Sequence, residues 1–321
     1  MDQQMAIKKI LITGALGHIG SALIHSISPG EFDEVHLMDN FLTQRYSSLF
    51  NLPRGVKYFF YEADILKCDI DRYVKGMDAV IHLAAITDAA SSFDKKDQVE
   101  EVNFKGVERV ARACAAAGCR FFFPSTTSVY GSQSNLVDEN CPEAELQPQS
   151  PYAESKIKAE KFLTALHSSG LKSITCRLGT IFGVSIGMRF HTAVNKFCWQ
   201  AVMAQPLTVW ETAYEQKRPY LELGDCVRAI KFILQRDLFD GQIYNVVSQN
   251  FTVRDIVEAI RKVEPSLKVE FVKNKIMNQL SYEVANQKFC SKGFNFSGQL
   301  NNGITQTVGQ FKGIANAKEV R

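Results

Sequence analysis

Short apolar runs alternate with helical patterns along the first half of the chain. Lys9–Thr13 and Glu34–Asp39 are apolar runs typical of buried strands. Small and apolar residues recur every three or four positions over 99–117, which predicts one buried helix face. Ser150 and Pro151 predict another helix start, because serine caps helices and proline suits the first turn. A helix is also predicted over 17–27, and strands over 56–62, 79–83, 120–124 and 173–177.

This alternation predicts the fold class. Strands and helices at this spacing require parallel strands joined by right-handed crossovers, so we expect an α/β, Rossmann-like, doubly wound parallel sheet over 1–178. From about residue 179 the pattern changes, and we interpret 179–321 as mostly a smaller α+β substrate-binding lobe, with some segments returning to the sheet domain. In the lobe, helices are predicted over 195–204, 225–234 and 253–263, and strands over 206–210, 242–246 and Val269–Val272.

Composition narrows the class of protein. The 321 residues are 45% hydrophobic and 22% charged, which excludes a disordered tail, a collagen-like rod and a long coiled coil. The net charge of +3 is spread along the chain, so we expect neither nucleic-acid nor membrane partners. There is no run of about 18 apolar residues, which is the length that a membrane-spanning helix needs, so we expect no segment to span a membrane. None of the eight cysteines forms a C-x-x-C pair, and we expect free thiols in a cytoplasmic protein without a metal site.

Three glycines lie between the first predicted strand and its helix. Gly14, Gly17 and Gly20 permit a tight turn and a close approach of the backbone to a phosphate at the helix N-terminus. Asp39 ends the second strand, 19 residues after Gly20. A carboxylate there binds ribose hydroxyls and repels a 2′-phosphate, so the pattern favours NAD over NADP. The alternative is that Asp39 only begins a loop.

A tyrosine and a lysine share one face of the helix that begins at Ser150. Tyr152 and Lys156 are four residues apart and project together. A phenol, with an ordinary pKa of about 10, becomes a useful base when a neighbouring ammonium and a nicotinamide ring favour its ionised form. Ser125 and Thr126 end the fifth strand, where open α/β sheets bind ligands. An isolated surface Tyr–Lys pair is the alternative.

Together these segments resemble the extended short-chain dehydrogenase/reductases, specifically the nucleotide-sugar epimerase/dehydratase family. The resemblance covers nearly the whole chain and is densest over 9–183. The matching residues are Gly14, Gly17, Gly20, Asp39, Asn40, Ala63, Asp64, Ile65, His82, Leu83, Ala84, Ala85, Asn103, Ser125, Thr126, Val129, Tyr130, Gly131, Tyr152, Lys156 and Arg177.

The resemblance implies a role for each part of the site. It implies that Tyr152 is the catalytic base, that Thr126 is the catalytic hydroxyl, and that Lys156 holds the nicotinamide ribose. The implied NAD contacts are Gly14, Leu16, Gly17, His18, Ile19, Gly20, Asp39, Asn40, Asp64, Ile65, Leu83, Ala84, Ala85, Asn103, Tyr152 and Lys156. The implied substrate contacts are Thr87, Asp88, Ser125, Thr126, Thr127, Gly179, Arg189 and Arg218; ordinary loop or surface positions remain the alternative for Thr87, Asp88, Arg189 and Arg218.

The chain departs from the family pattern near the substrate. Thr127 and Ser128 stand where the 4,6-dehydratases carry an acid pair, which argues against loss of water. Gly179 stands where the family usually carries an Asn that contacts the diphosphate, and Arg189 and His191 are candidates to compensate, with an ordinary polar loop as the alternative. The usual C-terminal Arg of the substrate lobe is not evident around Tyr282.

The sequence therefore predicts an NAD-dependent nucleotide-sugar epimerase that acts at C4 through a transient 4-keto sugar. The alternatives are a 4-dehydrogenase or keto-reductase, then a 4,6-dehydratase, and, outside enzymes, an NAD-binding sensor or scaffold. The expected partner is a nucleotide-diphosphate sugar. The resemblance also implies a homodimer through the helices predicted at 99–117 and 152–168.

Overall fold

The first half of the chain folds as its apolar pattern predicts. The computed structural model describes residues 7–133, 136–273, 282–311 and 313–314. The elements of the first half are β1 (Lys9–Thr13), α1 (His18–Ser26), β2 (Glu34–Asp39), β3 (Tyr58–Glu62), α2 (Ile70–Val74), β4 (Ala79–His82), α3 (Lys96–Glu100), a π-helical turn (Glu101–Lys105), α4 (Gly106–Ala117), β5 (Arg120–Thr126), β6 (Leu136–Val137), α5 (Pro151–Ser168) and β7 (Ser173–Leu178).

The second half mixes short strands and helices. Its elements are β8 (Thr180–Phe182), α6 (Ala193–Val202), β9 (Leu207–Trp210), β10 (Lys217–Glu222), α7 (Leu223–Arg236), β11 (Ile243–Val246), β12 (Gln249–Thr252), α8 (Val253–Arg261), β13 (Val269–Val272), β14 (Glu283–Val284), α9 (Gln287–Cys290) and α10 (Leu300–Gly309). Short 3-10 turns lie at Tyr46–Leu49, Ser91–Phe93, Thr127–Tyr130, Glu143–Glu145 and Glu211–Ala213.

Seven parallel strands form the central sheet, in the order β3-β2-β1-β4-β5-β7-β11. This order confirms the Rossmann-like, doubly wound sheet. β11 comes from the second half of the chain and pairs with β7. The smaller lobe contains a three-stranded sheet, β12-β10-β8, and the pair β13-β9, while β14 pairs with β6 of the first half.

Alternating side chains of the sheet build two cores. Ile10 and Ile12 of β1 belong to the core that contains Leu23 of α1, whereas Leu11 belongs to the core that contains Val107 of α4. This alternation follows from the two-residue period of a strand and covers both faces of the sheet with helices. The carboxyl ends of β1, β2, β4 and β5 consequently meet at one edge, which is where the candidate site lies.

No helix in the described part of the chain combines the length and apolar character that crossing a bilayer needs.

Helix starts agree closely with the sequence-based predictions. Ser150 caps α5, because its Oγ accepts a hydrogen bond from the Ala153 N–H at 3.2 Å. Thr252 and Asp255 form a capping box at the start of α8: the Asp255 N–H donates to Thr252 Oγ1 at 3.0 Å, and the Thr252 N–H donates to Asp255 Oδ2 at 2.8 Å.

We predict that Thr252→Ala lowers the free energy of unfolding by about 1 kcal/mol, because the N–H of Asp255 loses its acceptor. Urea unfolding followed by circular dichroism measures the change. Thr208→Ala, at an exposed position of β9, is the matched control and is expected to change stability by less than about 0.5 kcal/mol. Equal losses in both variants would contradict the role of the cap.

Candidate active site

The glycine turn lies directly against the end of β4. Gly14 has a φ of +66°, and a Cβ added there would stand 2.6 Å from the backbone nitrogen of Ala84. Gly20 packs its backbone on the turn, where a Cβ would lie 2.5 Å from the carbonyl oxygen of Ala15. No side chain caps α1 at Gly17. The first N–H groups of this helix are therefore available to an anion, as a pyrophosphate requires.

Asp39 is fixed beside this turn. One carboxylate oxygen accepts the N–H of Leu16 at 3.1 Å, and the other accepts the N–H of Phe41 at 3.0 Å. Each oxygen retains a further acceptor position, which suits a ribose diol. Asp64 has a similar local role, since its Oδ1 accepts the N–H of Leu66 at 2.9 Å.

Asn103 fixes the backbone of the segment that follows β4. It lies in the π-helical turn and is buried. Its amide nitrogen donates to the carbonyl of Ile86 at 2.8 Å, and its amide oxygen accepts the N–H of Ile86 at the same distance. The structure thus uses both ends of this amide to fix the segment after β4, and its predicted NAD contact stays a prediction.

Other predicted cofactor positions also line the turn and the strand ends. The Leu83 N–H donates to the carbonyl of Thr13 at 2.9 Å, and Asn40 Oδ1 accepts the N–H of Leu42 at 3.1 Å. Ile19 packs against the core beneath the turn, and Ile65 is buried beside α4, where a Cβ on Gly106 would lie 2.7 Å from its Cδ1.

Lys156 is buried at the centre of the site. Its side chain reaches the end of β5, where Nζ donates to the carbonyl of Pro124 at 2.8 Å, and only 3% of the residue is exposed. Nζ lies 5.8 Å from the centroid of the Tyr152 ring. Burial lowers the pKa of Lys156 to about 7, against the opposing charge of Glu160. The ammonium therefore stands near its titration point at neutral pH.

Tyr152 and Thr126 meet beside it. Thr126 Oγ1 accepts the N–H of Ser128 at 3.1 Å, and its hydroxyl interacts with that of Tyr152. Burial raises the pKa of Tyr152, while the charge of Arg189 and the hydrogen bond with Thr126 oppose the rise. Among the protein groups, desolvation therefore outweighs the neighbouring charges.

A loop of the second half closes over the glycine turn. The Gly187 N–H donates to Ser21 Oγ at 2.9 Å, and Ser185 Oγ donates to the carbonyl of His18 at 3.0 Å. His18 Nε2 in turn lies 2.9 Å from the carbonyl of Gly183. Burial lowers the pKa of His18 to about 4, so this imidazole is neutral and serves packing.

The same loop brings Arg189 into the cleft. Its Nη1 donates to Thr87 Oγ1, and its buried Nε has no hydrogen-bond partner among the described residues. Arg45 and Asp88 lie close enough for their charges to act on it. A buried guanidinium with an unused donor fits an anionic ligand such as a diphosphate.

Three predicted substrate contacts have other partners. The Ser125 hydroxyl donates to Glu160 Oε1, and its predicted substrate contact stays a prediction. Thr127 Oγ1 donates to the carbonyl of Leu178 at 3.3 Å. Gly179 offers no side chain, and a Cβ there would lie 3.0 Å from the backbone of Tyr220, so it serves the close approach of two strands.

The remaining predicted contacts lie at the rim of the cleft. Asp88 Oδ1 accepts the N–H groups of Ala90 and Ser91 at 3.0 and 3.2 Å, which shapes the loop. Arg218 lies on β10, where its charge acts on Tyr220 and Tyr282.

Sequence reasoning missed Tyr282 and Glu160. The Tyr282 hydroxyl donates to Thr127 Oγ1 at 3.4 Å and also interacts with Ser128. No local pattern announces this contact between residues 155 positions apart. Glu160 had a local signal, since it lies four residues after Lys156 and so shares its helix face.

The fold and the site define an enzyme that uses a nicotinamide dinucleotide, with a Tyr–Lys pair at the carboxyl edge of a Rossmann-like sheet. The sequence model of the NAD dependent epimerase/dehydratase family matches residues 10–246. The chain therefore belongs to the NAD-dependent epimerase/dehydratase family, and NAD is its cofactor.

Relatives and solved structures agree with this assignment. An uncharacterized UDP-glucose epimerase of Bacillus subtilis, YtcB, is 29% identical over 246 residues, covering 74% of this chain and 76% of the relative. A trifunctional protein of Arabidopsis thaliana, RHM1, whose first named activity is that of a UDP-glucose 4,6-dehydratase, is 27% identical over 94% of this chain, which spans about half of that relative (46%). The UDP-glucose 4-epimerase of Thermus thermophilus, in complex with NAD, has a TM-score of 0.81 at 25% identity, covering 95% of this chain and 99% of the other.

We predict that Gly14→Ala weakens NAD binding at least tenfold, because the new Cβ collides with β4 and the backbone must leave its positive φ. Isothermal titration calorimetry with NAD measures the loss. Gly309→Ala, where a Cβ meets open space, is the matched control. Unchanged NAD affinity in a folded Gly14→Ala variant would contradict the placement of the cofactor at this turn.

Proposed function

We propose that the protein is a UDP-hexose 4-epimerase that works through a transient 4-keto sugar. The observation that carries the proposal is the meeting of Tyr152, Thr126 and Lys156 at one strand edge, beside a loop whose next two residues are Thr127 and Ser128. The names of the B. subtilis and T. thermophilus relatives, both UDP-glucose epimerases, support the choice of nucleotide.

Each residue of this group has a distinct task. Tyr152 removes the proton from the C4 hydroxyl and returns it when the sugar is reduced again. Thr126 donates a hydrogen bond to the C4 oxygen, and Lys156 stabilises the phenolate by its charge. When bound, NAD supplies the hydride acceptor and donor. The net reaction would invert C4 without consuming the cofactor.

The residues after Thr126 argue against loss of water. Elimination across C5 and C6 needs an acid and a base at the sugar, and carboxylates serve this role in general acid–base catalysis. Thr127 and Ser128 offer only hydroxyls, and that of Thr127 is already engaged with Leu178. The site therefore supports chemistry at C4 alone.

We assign the binding of the substrate's diphosphate to two arginines, Arg189 and Arg218. Arg189 presents a buried, unused Nε donor near Tyr152, and Arg218 stands on β10. Guanidinium groups bind phosphate oxygens with two parallel hydrogen bonds, which makes them suited to this part of the ligand.

We predict that the purified protein with NAD converts one UDP-hexose into a product of equal mass and different chromatographic retention. A panel of UDP-, GDP-, CDP- and dTDP-sugars, analysed by mass spectrometry, tests this outcome. Tyr152→Phe is expected to lower turnover by about 10²–10⁴-fold while NAD affinity stays within about twofold, since only the proton acceptor is lost. Tyr73→Phe, on α2, is the matched control.

The other outcomes identify the competing functions. Loss of water would make the protein a dehydratase, and accumulation of NADH with a product two hydrogens lighter would make it a dehydrogenase. If the wild-type protein and Tyr152→Phe both bind NAD and neither turns over any sugar, the result would favour an NAD-binding sensor or scaffold.

We also propose a homodimer through α4 and α5. Phe104, in the π-helical turn that leads into α4, and Phe162 of α5 are half-buried and pack edge to face at 6.3 Å between ring centroids. Arg112 lies 5.0 Å above the Phe162 ring. Such aromatic residues are typical of interfaces. Sedimentation velocity at micromolar concentration is expected to give a dimer, and Phe162→Glu a monomer. A monomeric wild-type protein would contradict the proposal.

A further inference from the structure

A buried ion pair lies directly behind the Tyr–Lys pair. Arg177 Nε donates to Glu160 Oε1 at 3.0 Å, and Arg177 Nη2 donates to Glu160 Oε2 at 2.7 Å. Each side chain is only 4% exposed. Burial alone would lower the pKa of Arg177, yet the hydrogen bonds and charge of Glu160 raise it above its ordinary value. Removing two ions from water is costly, and well-packed apolar residues would fill the same space at no such cost.

The pair is joined to both ends of the segment that carries Thr126. Before Thr126, the Ser125 hydroxyl donates to Glu160 Oε1. After it, the Arg177 guanidinium stacks 4.8 Å from the centroid of the Tyr130 ring. The Tyr130 hydroxyl donates in turn to Asn245 Oδ1 at 2.9 Å, which fixes the ring. The ion pair therefore determines where this segment leaves β5.

The same carboxylate stands close to Lys156. Glu160 follows Lys156 by four residues in α5, so the two side chains share one helix face. Lys156 Nζ donates to the carbonyl of Pro124, the residue before Ser125. Glu160 is thus connected to Lys156 through the helix that both share. It is connected to the segment that carries Thr126 through the hydroxyl of Ser125.

We propose that Glu160 is a positioning residue of the hydride-transfer site: its carboxylate fixes the Thr126 segment and supplies the negative charge that keeps the buried Lys156 ammonium in its charged form. This inference rests on the proposed function in assigning tasks to Thr126 and Lys156. The charge effect itself concerns the protein alone and is measurable without any sugar.

The groups that face Lys156 come from three elements. From α5 they are Tyr152 and Glu160; from β4 comes His82, whose charge would act on Lys156; from β7 comes Arg177, held behind Glu160. Burial lowers the pKa of His82 to about 3, and burial raises that of Tyr152. Between about pH 5 and about pH 9 the group in this set that titrates is therefore Lys156.

The experiment is a pH titration of Lys156 in the full-length protein without added ligand. Lysine labelled with ¹³C at Cε reports the protonation of each ammonium by NMR, and Lys156→Met assigns the signal. We expect Glu160→Gln to lower the Lys156 midpoint by about one pH unit, since the ammonium loses its nearest stabilising carboxylate and releases its proton at lower pH. Glu160→Asp is expected to recover part of the shift.

Two further variants separate charge from folding. Glu160→Gln with Arg177→Gln removes both charges, so no guanidinium is left buried and unpaired; if the single variant fails to fold, this double variant decides the question. Glu154→Gln removes an exposed carboxylate from the same helix and is expected to leave the midpoint unchanged. A Lys156 midpoint that stays within about 0.2 pH unit of the wild-type value in folded Glu160→Gln protein, or, with the double variant, no difference from Arg177→Gln alone, would overturn the proposal.

Turnover provides the second arm. With a substrate from the sugar panel, Glu160→Gln is expected to lower kcat about tenfold with KM within about twofold, and to move the alkaline limb of kcat to lower pH in parallel with the NMR midpoint. A kcat that falls by the same factor at every pH, with no shift of the alkaline limb, would overturn the charge role of Glu160 and leave only a structural role. If no sugar is turned over, the proposed function fails, while the NMR titration still decides the role of Glu160.

Discussion

The burial of one ammonium constrains the whole site. Lys156 gives up nearly all contact with water, so it requires an acceptor and a negative charge within the protein. The carbonyl of Pro124 is that acceptor, and its use by Lys156 ties α5 to the end of β5. Because the helix and the strand are held together at this point, Tyr152 and Thr126 have a single relative position. The glycine turn and the supporting amide of Asn103 then place the cofactor site next to that position.

A loop from the second half of the chain contacts the glycine turn of the candidate cofactor site. Gly187 and Ser185 hold the loop between β8 and α6 onto the glycine turn, and Arg189 reaches Thr87 in the first half. The phosphate-binding turn is therefore covered by residues that lie more than 160 positions further along the chain.

Local physical constraints explain which features the sequence predicts well. The bounds of β1, β2 and β13 agree with the apolar runs, and the positive φ of Gly14 follows from a turn between strand and helix. Contacts between distant residues leave no such pattern. The hydroxyl of Ser125 is the same group whether it faces a sugar or Glu160, and only the packing of α5 against β5 decides between them. The pairing of β8, β10 and β12 in the lobe likewise depends on residues far apart in sequence.

The position of β11 limits how such proteins exchange parts. This strand belongs by sequence to the second half, yet it covers the edge of β7 and provides Asn245 for the Tyr130 hydroxyl. A chain that ended before it would expose the unpaired backbone of β7, which is a template for aggregation. A variant that exchanges segments of the second half must therefore keep β11 with its own sheet, because strand pairing joins it to β7.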